Sequence, residues 1–421
     1  MCYANLDPVG IPSSDAIEAM YAEGTCSKTL FAALYSLQVI ASMLKLPDGV
    51  YPELWQRVWR FTDFFHTYHE HLLGLPSKRA IYAIFAELFA RFHAFGHGKL
   101  ISSTVGIHGV VVMGWSLFLD DTVGQDHDSL RNTSFWINWD LINGETSGVE
   151  KYLDAAGGID ILASMVTRHL ARAADHDIIS GTRNWHCTAA IGIIADAKKS
   201  GRIGILFDAE LRSQGIIKSL VAAACSLNLY AATHENSLGL LTMAIHILGK
   251  YSTHPPGRVW MSEALQAGML GAILLLASTH PGDSMLTGQV VYFITSALPG
   301  YLVYRSILIH LRTCLMDVEE LVNTEAFAAC PAFASWQQFR DAARDRLNFL
   351  EVFDSTPPVL YKACDNVVCG EIRLKSELQR CSTCLDVYYC SRECQAMDWR
   401  AAHRTDCQTF SGIRNLPGAL I

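Results

Sequence analysis

Charge is scarce in this chain. Asp, Glu, Lys and Arg make up 18% of its 421 residues, and hydrophobic residues make up 50%. A disordered chain needs the reverse balance, so a largely disordered protein is excluded. Surplus positive charge is also lacking. The net charge is −8 and the pI about 6.0, which argues against broad electrostatic binding to nucleic acid. Met1 to Gly24 has no basic start and no apolar run, so it does not read as a secretory leader. The expectation is a reducing compartment, cytoplasmic and/or nuclear, where clustered cysteines serve metals rather than disulfides. Long unbroken apolar runs are missing too. Leu100 to Leu119 and Ser284 to Tyr304 are uncharged and long enough to span a bilayer, but polar residues, glycines and Pro299 interrupt them. Both are expected to be buried helices, with no membrane involved.

Helical periodicity is present through most of the chain. In Arg79 to Phe95 the apolar residues Ile81, Ile84, Phe85, Leu88, Phe89, Phe92 and Phe95 recur at three- and four-residue steps, with Arg79, Glu87 and Arg91 opposite. Lys28 to Leu46 repeats the pattern through Leu30, Phe31, Leu34, Leu37, Ile40, Met43 and Leu44, and Pro47 is expected to stop it. Sustained two-residue alternation is absent, so the fold class is all-α. A faint repeat runs through it. Gly157-Gly158-Ile159-Asp160-Ile161-Leu162, Gly215-Ile216-Ile217-Lys218-Ser219-Leu220 and Gly268-Met269-Leu270-Gly271-Ala272-Ile273 begin 58 and 53 residues apart. Each glycine is expected at a tight junction between a short helix and a longer one. Ala190-Ile191-Gly192-Ile193-Ile194 and Ala244-Ile245-His246-Ile247-Leu248, 54 residues apart, support the period. The junction resembles that of armadillo repeats, with longer inserts than their usual unit. The resemblance implies an armadillo/HEAT-like superhelix whose groove binds a polypeptide.

Cysteine is unevenly spread. Seven of 13 lie between Cys364 and Cys407, and Cys2, Cys26, Cys187, Cys225, Cys314 and Cys330 are scattered elsewhere. The scattered six read as buried small hydrophobes. The seven form Cys364-x4-Cys369, Cys381-x2-Cys384 and Cys390-x3-Cys394, with His403-x3-Cys407 completing four pairs. Eight ligands suit two closed tetrahedral zinc sites, structural because no position is left for water. The last two pairs, at i and i+4, are expected on one face of a helical turn. Spacing leaves open whether the pairs combine in sequence or interleave. A 44-residue module buries too little apolar surface to fold well alone, so the metal is needed for folding. Asp354-Ser355-Thr356-Pro357-Pro358 reads as the break before it. The expected division is an N-terminal segment at 1–24, a helical domain at 25–353, a linker at 354–363, the zinc module at 364–407 and a tail at 408–421.

The zinc pattern, with Tyr389-Cys390-Ser391, Gln395 and Trp399, resembles a MYND-type zinc finger. The x4 spacing of the first pair departs from the commoner two residues but stays compatible with zinc. The resemblance implies interleaved sites: Cys364, Cys369, Cys390 and Cys394 on one zinc, and Cys381, Cys384, His403 and Cys407 on the other. It also implies binding of proline-containing peptides, with Gln395 and Trp399 lining the groove. Tyr388 and Tyr389 read as core. With seven thiolates and two zinc ions, residues 361–421 carry a net −2, which is no footprint for DNA.

The expected function is a non-enzymatic adaptor, with the finger on one partner and the helical array on a second. Transcriptional co-regulation and ubiquitin-ligase recruitment are the roles the resemblance implies. The alternative is an enzyme with a site in the helical domain, of which a protein methyltransferase comes nearest. Some MYND proteins carry a SET methyltransferase domain, but its Asn-His-x-Cys motif is only superficially matched by Asn184-Trp185-His186-Cys187. His66, His69, Glu70 and His71 fit no zinc-protease spacing and read as a polar helix end. Asp120, Asp121, Asp126, His127 and Asp128 read as a solvated loop. Gly96-His97-Gly98-Lys99 lacks the spacing of a phosphate loop, and no catalytic set stands out.

Overall fold

The structure is a computed structural model. It describes residues 2–43, 49–120, 127–143, 148–174, 180–231, 235–253, 257–355, 361–385, 387–404 and 407. The chain divides into two compact units, Met1–Ala343 and Arg344–Ile421. The first is helical throughout its described residues. The second begins inside the helix Phe333–Ser355 and carries the short strands.

The periodic segments fold as helices. Lys28–Ser42 buries Leu30, Leu34, Leu37 and Ile40, but Phe31 stays exposed. It ends ahead of Pro47, because Met43 turns to extended backbone at ψ 134. Leu44 lies outside the described residues. Lys78–Ala94 buries Ile81, Phe85, Leu88, Phe89 and Phe92. Its polar side reaches other helices, with Arg79 donating to Leu117 O and Arg91 to Ala41 O. Arg168 and Arg172 likewise donate to Leu119 O and Phe118 O. These carbonyls end their helices and have no partner within them, so the cations satisfy them and offset the helix dipole.

The faint repeat corresponds to a physical layering. Three helices make a layer: Gly148–Ala156, Ile159–Ala173 and Ser180–Ala197; then Arg202–Ser213, Ile216–Ala231 and Glu235–Thr253; then Gly257–Gln266, Met269–Thr279 and Ser284–Tyr292. The middle helices pack on one another in order, and so do the third helices. Gly157, Gly215 and Gly268 sit between the first and middle helix of their layers, at φ 80, 78 and 89. A side chain resists that left-handed conformation, which is why the junctions need glycine. Ala190–Ile194 and Ala244–Leu248 are matching stretches of two third helices.

A fourth layer precedes these, and it was not read as a repeat. It comprises Gly98–Ser102, Ile107–Asp120 and Asn132–Asn143, with Gly106 at φ 87 before its middle helix. Ile107–Asp120 packs on Ile159–Ala173, and Asn132–Asn143 on Ser180–Ala197. Leu100 to Leu119 is therefore two helices broken by a turn, with Val105 91% exposed, rather than one buried helix. Ser284 to Tyr304 is also divided, into the helix Ser284–Tyr292, a wide turn at Phe293–Ala297 and a short turn at Pro299–Tyr301. Among the described residues no single helix is long and apolar enough to cross a membrane. The pair Gly257–Gln266 and Met269–Thr279 passes by length and composition together, but bends by 69° at Gly268.

Helix also occupies the segment 1–24, at Cys2–Asn5 and Ser14–Glu23, with Leu6 and Ile17 buried. At the other end Phe333–Ser355 includes Asp354 and Ser355, and the two prolines that follow lie outside the described residues. Of the scattered cysteines, Cys187, Cys314 and Cys330 are buried as expected. Cys2, Cys26 and Cys225 are only half-buried, so core filling accounts for three of the six. Cys2 is in the first short helix and Cys26 in a loop ahead of a helix cap, where neighbours cover only part of the side chain.

Candidate metal centre

Two short hairpins and one helix place the clustered ligands. Strand β1 (Tyr361–Ala363) pairs antiparallel with β2 (Ile372–Leu374), Lys362 facing Arg373. The loop they close carries Cys364 and Cys369. Cys364 N–H donates to Glu371 O, Cys369 N–H donates to Asn366 O, and Gly370 takes the positive φ of 70. Strand β3 (Gln379–Arg380) pairs with β4 (Tyr388–Tyr389) and brings up Cys381 and Cys384. Cys381 N–H donates to Val387 O, and Leu385 N–H to Cys381 O, with Leu385 at φ 57. The hairpins are tied together: Asp365 N–H donates to Tyr388 O, and Tyr388 N–H to the Asp365 carboxylate.

The helix Arg392–Asp398 follows, with Ser391 as its cap accepting from Cys394 N–H at 3.2 Å. Here the expectation of one helical face needs correction. Cys390 precedes the cap and Ser391 is extended, so only Cys394 is inside the helix. The pair straddles a helix start because the Ser391 hydroxyl claims the otherwise free N–H of Cys394. His403 closes a wide helical turn at Trp399–His403. Its ring meets those of Tyr389 and Trp399 edge-on, at centroid distances of 6.2 and 5.6 Å.

Two groups of four result. Cys364, Cys369, Cys390 and Cys394 converge in one, and Cys381, Cys384, His403 and Cys407 in the other. Within each, all ligand atoms lie within 4.8 Å of one another. Zinc–sulfur bonds of about 2.3 Å place tetrahedral sulfurs about 3.8 Å apart. Cys369 and Cys390 Sγ are 3.5 Å apart, Cys390 and Cys394 3.5 Å, and Cys381 and Cys407 3.9 Å. His403 Nε2 is 3.4 Å from Cys381 Sγ and 3.6 Å from Cys384 Sγ. The donor sets fit two zinc ions, each with four protein ligands. Contact with Cys369 and Cys394 pushes the Cys390 thiol up to about 12. A dication among the sulfurs supplies the charge that their ionisation needs.

The family model described as MYND finger matches residues 364–407. This segment is a MYND finger. Over 47 residues the chain is 47% identical to one F-box protein of Arabidopsis thaliana, and over 48 residues 50% identical to another. Over 50 residues it is 38% identical to a ubiquitin carboxyl-terminal hydrolase of the same plant. These matches cover 11%, 11% and 12% of this chain, and 14%, 12% and 7% of the relatives. No solved structure matches the chain.

Interleaving is what the MYND finger shows. Each site takes one pair from a hairpin and one from the later helical part, so neither hairpin can hold a metal alone. Tyr389 is fully buried between the ligands, its hydroxyl donating to Asp398 at 2.7 Å. Tyr388 is buried as well, under the Lys362 ammonium 3.8 Å from its ring centre. Both read correctly as core. Gln395 is half-buried, and Trp399 is 38% exposed.

The other clusters do not become metal sites among the described residues. His66 Nδ1 meets the Tyr82 hydroxyl, His69 Nδ1 meets His66 O, and Glu70 pairs with Lys78. They form a helix end at Tyr51–Tyr68 and the turn His69–His71, as expected. Asp120 pairs with Arg168, and residues 121–126 lie outside the described residues. His186 and Cys187 are interior to a helix. One polar group escaped the sequence reading. Ser134 Oγ, His169 Nε2 and His186 Nδ1 lie within 3.2 Å of each other in the core. Burial, with Arg172 second, pushes His169 down to about 3. No spacing marks these residues, since they come from three separate helices.

Proposed function

We propose that the chain is a non-enzymatic adaptor whose MYND finger takes a proline-containing peptide across Gln395 and Trp399. The observation that carries this is the position of Trp399. It is a large apolar side chain left partly in water, beside the zinc ligand His403 and four residues after Gln395, where the helix Arg392–Asp398 runs into the wide turn Trp399–His403. Residues at that spacing share a face, and an aromatic face with a neighbouring amide suits proline rings and peptide carbonyls. The relatives support a portable module: an F-box protein and a hydrolase share about one tenth of this chain and bear unlike names. Filled coordination shells leave no metal-bound water, which favours recognition over hydrolysis at the zinc. In this reading the layered helices hold a second partner, as an armadillo-like array would, in the cytoplasm or nucleus.

Calorimetric titration of the full chain with a proline-containing peptide tests it. Trp399→Ala should weaken binding tenfold or more while zinc stays at two per chain. Unchanged affinity in that variant would remove the groove assignment.

A further inference from the structure

The loop between Cys364 and Cys369 is turned inside out. Its four residues are Asp365, Asn366, Val367 and Val368. The two valines are 92% and 82% exposed, while the amide residue Asn366 is 3% exposed. Burial of an amide costs free energy unless its donors and acceptors find partners. Asp365 ties the two hairpins together through its N–H and its carboxylate. Asn366 has one atom with no such use.

Its backbone oxygen accepts from Cys369 N–H at 2.8 Å, and its Oδ1 accepts from Val368 N–H at 3.3 Å. The second bond fixes the orientation of the amide, because a flipped side chain would set NH2 against N–H. Nδ2 is left buried, with no hydrogen-bond partner among the described residues. What the amide lies against is a zinc ligand. Asn366 is the foremost influence on the Cys394 thiol and holds it down, to about 7. A neutral thiol is a weak acceptor, whereas a thiolate takes a charge-assisted bond. The first site also has the greater need of a donor. Four thiolates around one dication leave two negative charges, against one at the second site, where His403 stands in place of a thiolate. The cations of the first hairpin have carboxylate partners, Arg373 with Glu371 at 3.3 Å and Lys362 with Asp365 at 3.7 Å.

We infer that Asn366 is a positioning residue of the first zinc site, its Nδ2 donating to the Cys394 sulfur in the metal-bound finger. The bond draws charge off the sulfur and so strengthens the hold on the metal. It also joins the two halves of the interleaved site, since Asn366 belongs to the loop of the first hairpin and Cys394 to the helix Arg392–Asp398. Neither Gln395 nor Trp399 enters this assignment, so it stands apart from the peptide groove.

The test is competition for zinc between a chelator and the full chain, carrying Asn366→Asp or Asn366→Ala. Aspartate keeps an oxygen acceptor for Val368 N–H but cannot donate, and its charge faces the thiolates. Alanine loses donor and acceptor alike. If Asn366 served only the turn, the aspartate variant would hold zinc as the parent does and the alanine variant would be the worse. The reverse order is expected. Asn366→Ala should weaken the hold on one of the two zinc ions about tenfold, and Asn366→Asp should weaken it further. Val367→Ala, at the exposed position beside it, should hold zinc as the parent does. Cobalt loading gives a second readout. An N–H···S bond lowers the energy of the sulfur donor electrons, so both Asn366 variants should move the thiolate-to-cobalt absorption bands to longer wavelength. Parental affinity in Asn366→Asp, equal weakening by Val367→Ala, or unmoved bands in both Asn366 variants would overturn the inference.

Discussion

Gly268→Ala isolates the cost of the backbone turn on which the layers depend. Gly268 sits at φ 89, ψ 18, between Gly257–Gln266 and Met269–Thr279. A Cβ added there meets nothing within 4 Å. The methyl therefore costs no packing, and the whole effect is conformational. Left-handed backbone costs an L-residue about 1–2 kcal/mol. Loss of glycine's freedom in the unfolded chain returns about 0.4–1 kcal/mol. The expected net destabilisation is about 1 kcal/mol. Gly239 provides the opposite sign. It is exposed within the helix Glu235–Thr253, has ordinary helical backbone, and also has nothing within 4 Å of an added Cβ. Gly239→Ala should stabilise by about 0.5–1 kcal/mol. Gly268→Asn should cost less than Gly268→Ala, since asparagine tolerates the left-handed region. Urea unfolding of the three variants, followed by far-ultraviolet circular dichroism, reads all of these. If Gly268→Ala and Gly239→Ala shifted the midpoint in the same direction, the junction argument would fail.

Metal analysis should find two zinc per chain, and Cys381→Ser should lower that number and unfold the finger. Most of the helical dichroism should persist, because all the long helices but Phe333–Ser355 lie wholly in the other compact unit; its collapse would show that the two units do not fold separately. Stability should also depend on pH through His169. Its folded value of about 3 lies below the ordinary 6.5, so the unfolded chain binds the proton more readily between these limits. The contribution is complete above about pH 6.5 and is lost as pH falls towards 3, by up to about 1.4 kcal/mol per unit. His169→Gln should flatten the dependence of the urea midpoint between about pH 6.5 and 5; an unchanged slope would place the titration elsewhere.

The residues that sequence resolved best were those whose chemistry tolerates few alternatives. Eight ligands at fixed spacing named the zinc centre, because thiolates and imidazole at tetrahedral spacing serve little else. Helical periodicity named the all-α body, and three glycines marked layer junctions because only glycine takes that backbone without cost. The fourth junction, at Gly106, was missed although Gly106-Ile107-His108-Gly109-Val110-Val111 begins with the same glycine and apolar residue as the other three. The start of the finger helix was misjudged by one element. An i, i+4 spacing suits a helix, but the Ser391 side chain had a better use as its cap.

Tertiary structure alone decided where distant polar residues meet. Asp140 gathers Ser102, His108 and Tyr152 from three other helices. Ser134, His169 and His186 join across separations of 17, 35 and 52 residues. No local pattern encodes such meetings, because a buried polar group needs only some partner of fitting geometry, from anywhere in the chain. The scarcity of charge has the same two-part character. Sequence determined that this chain would bury a large apolar core and fold its cysteine-rich end around zinc. Only the packing of helices decided that Asp140 would be buried among Ser102, His108 and Tyr152.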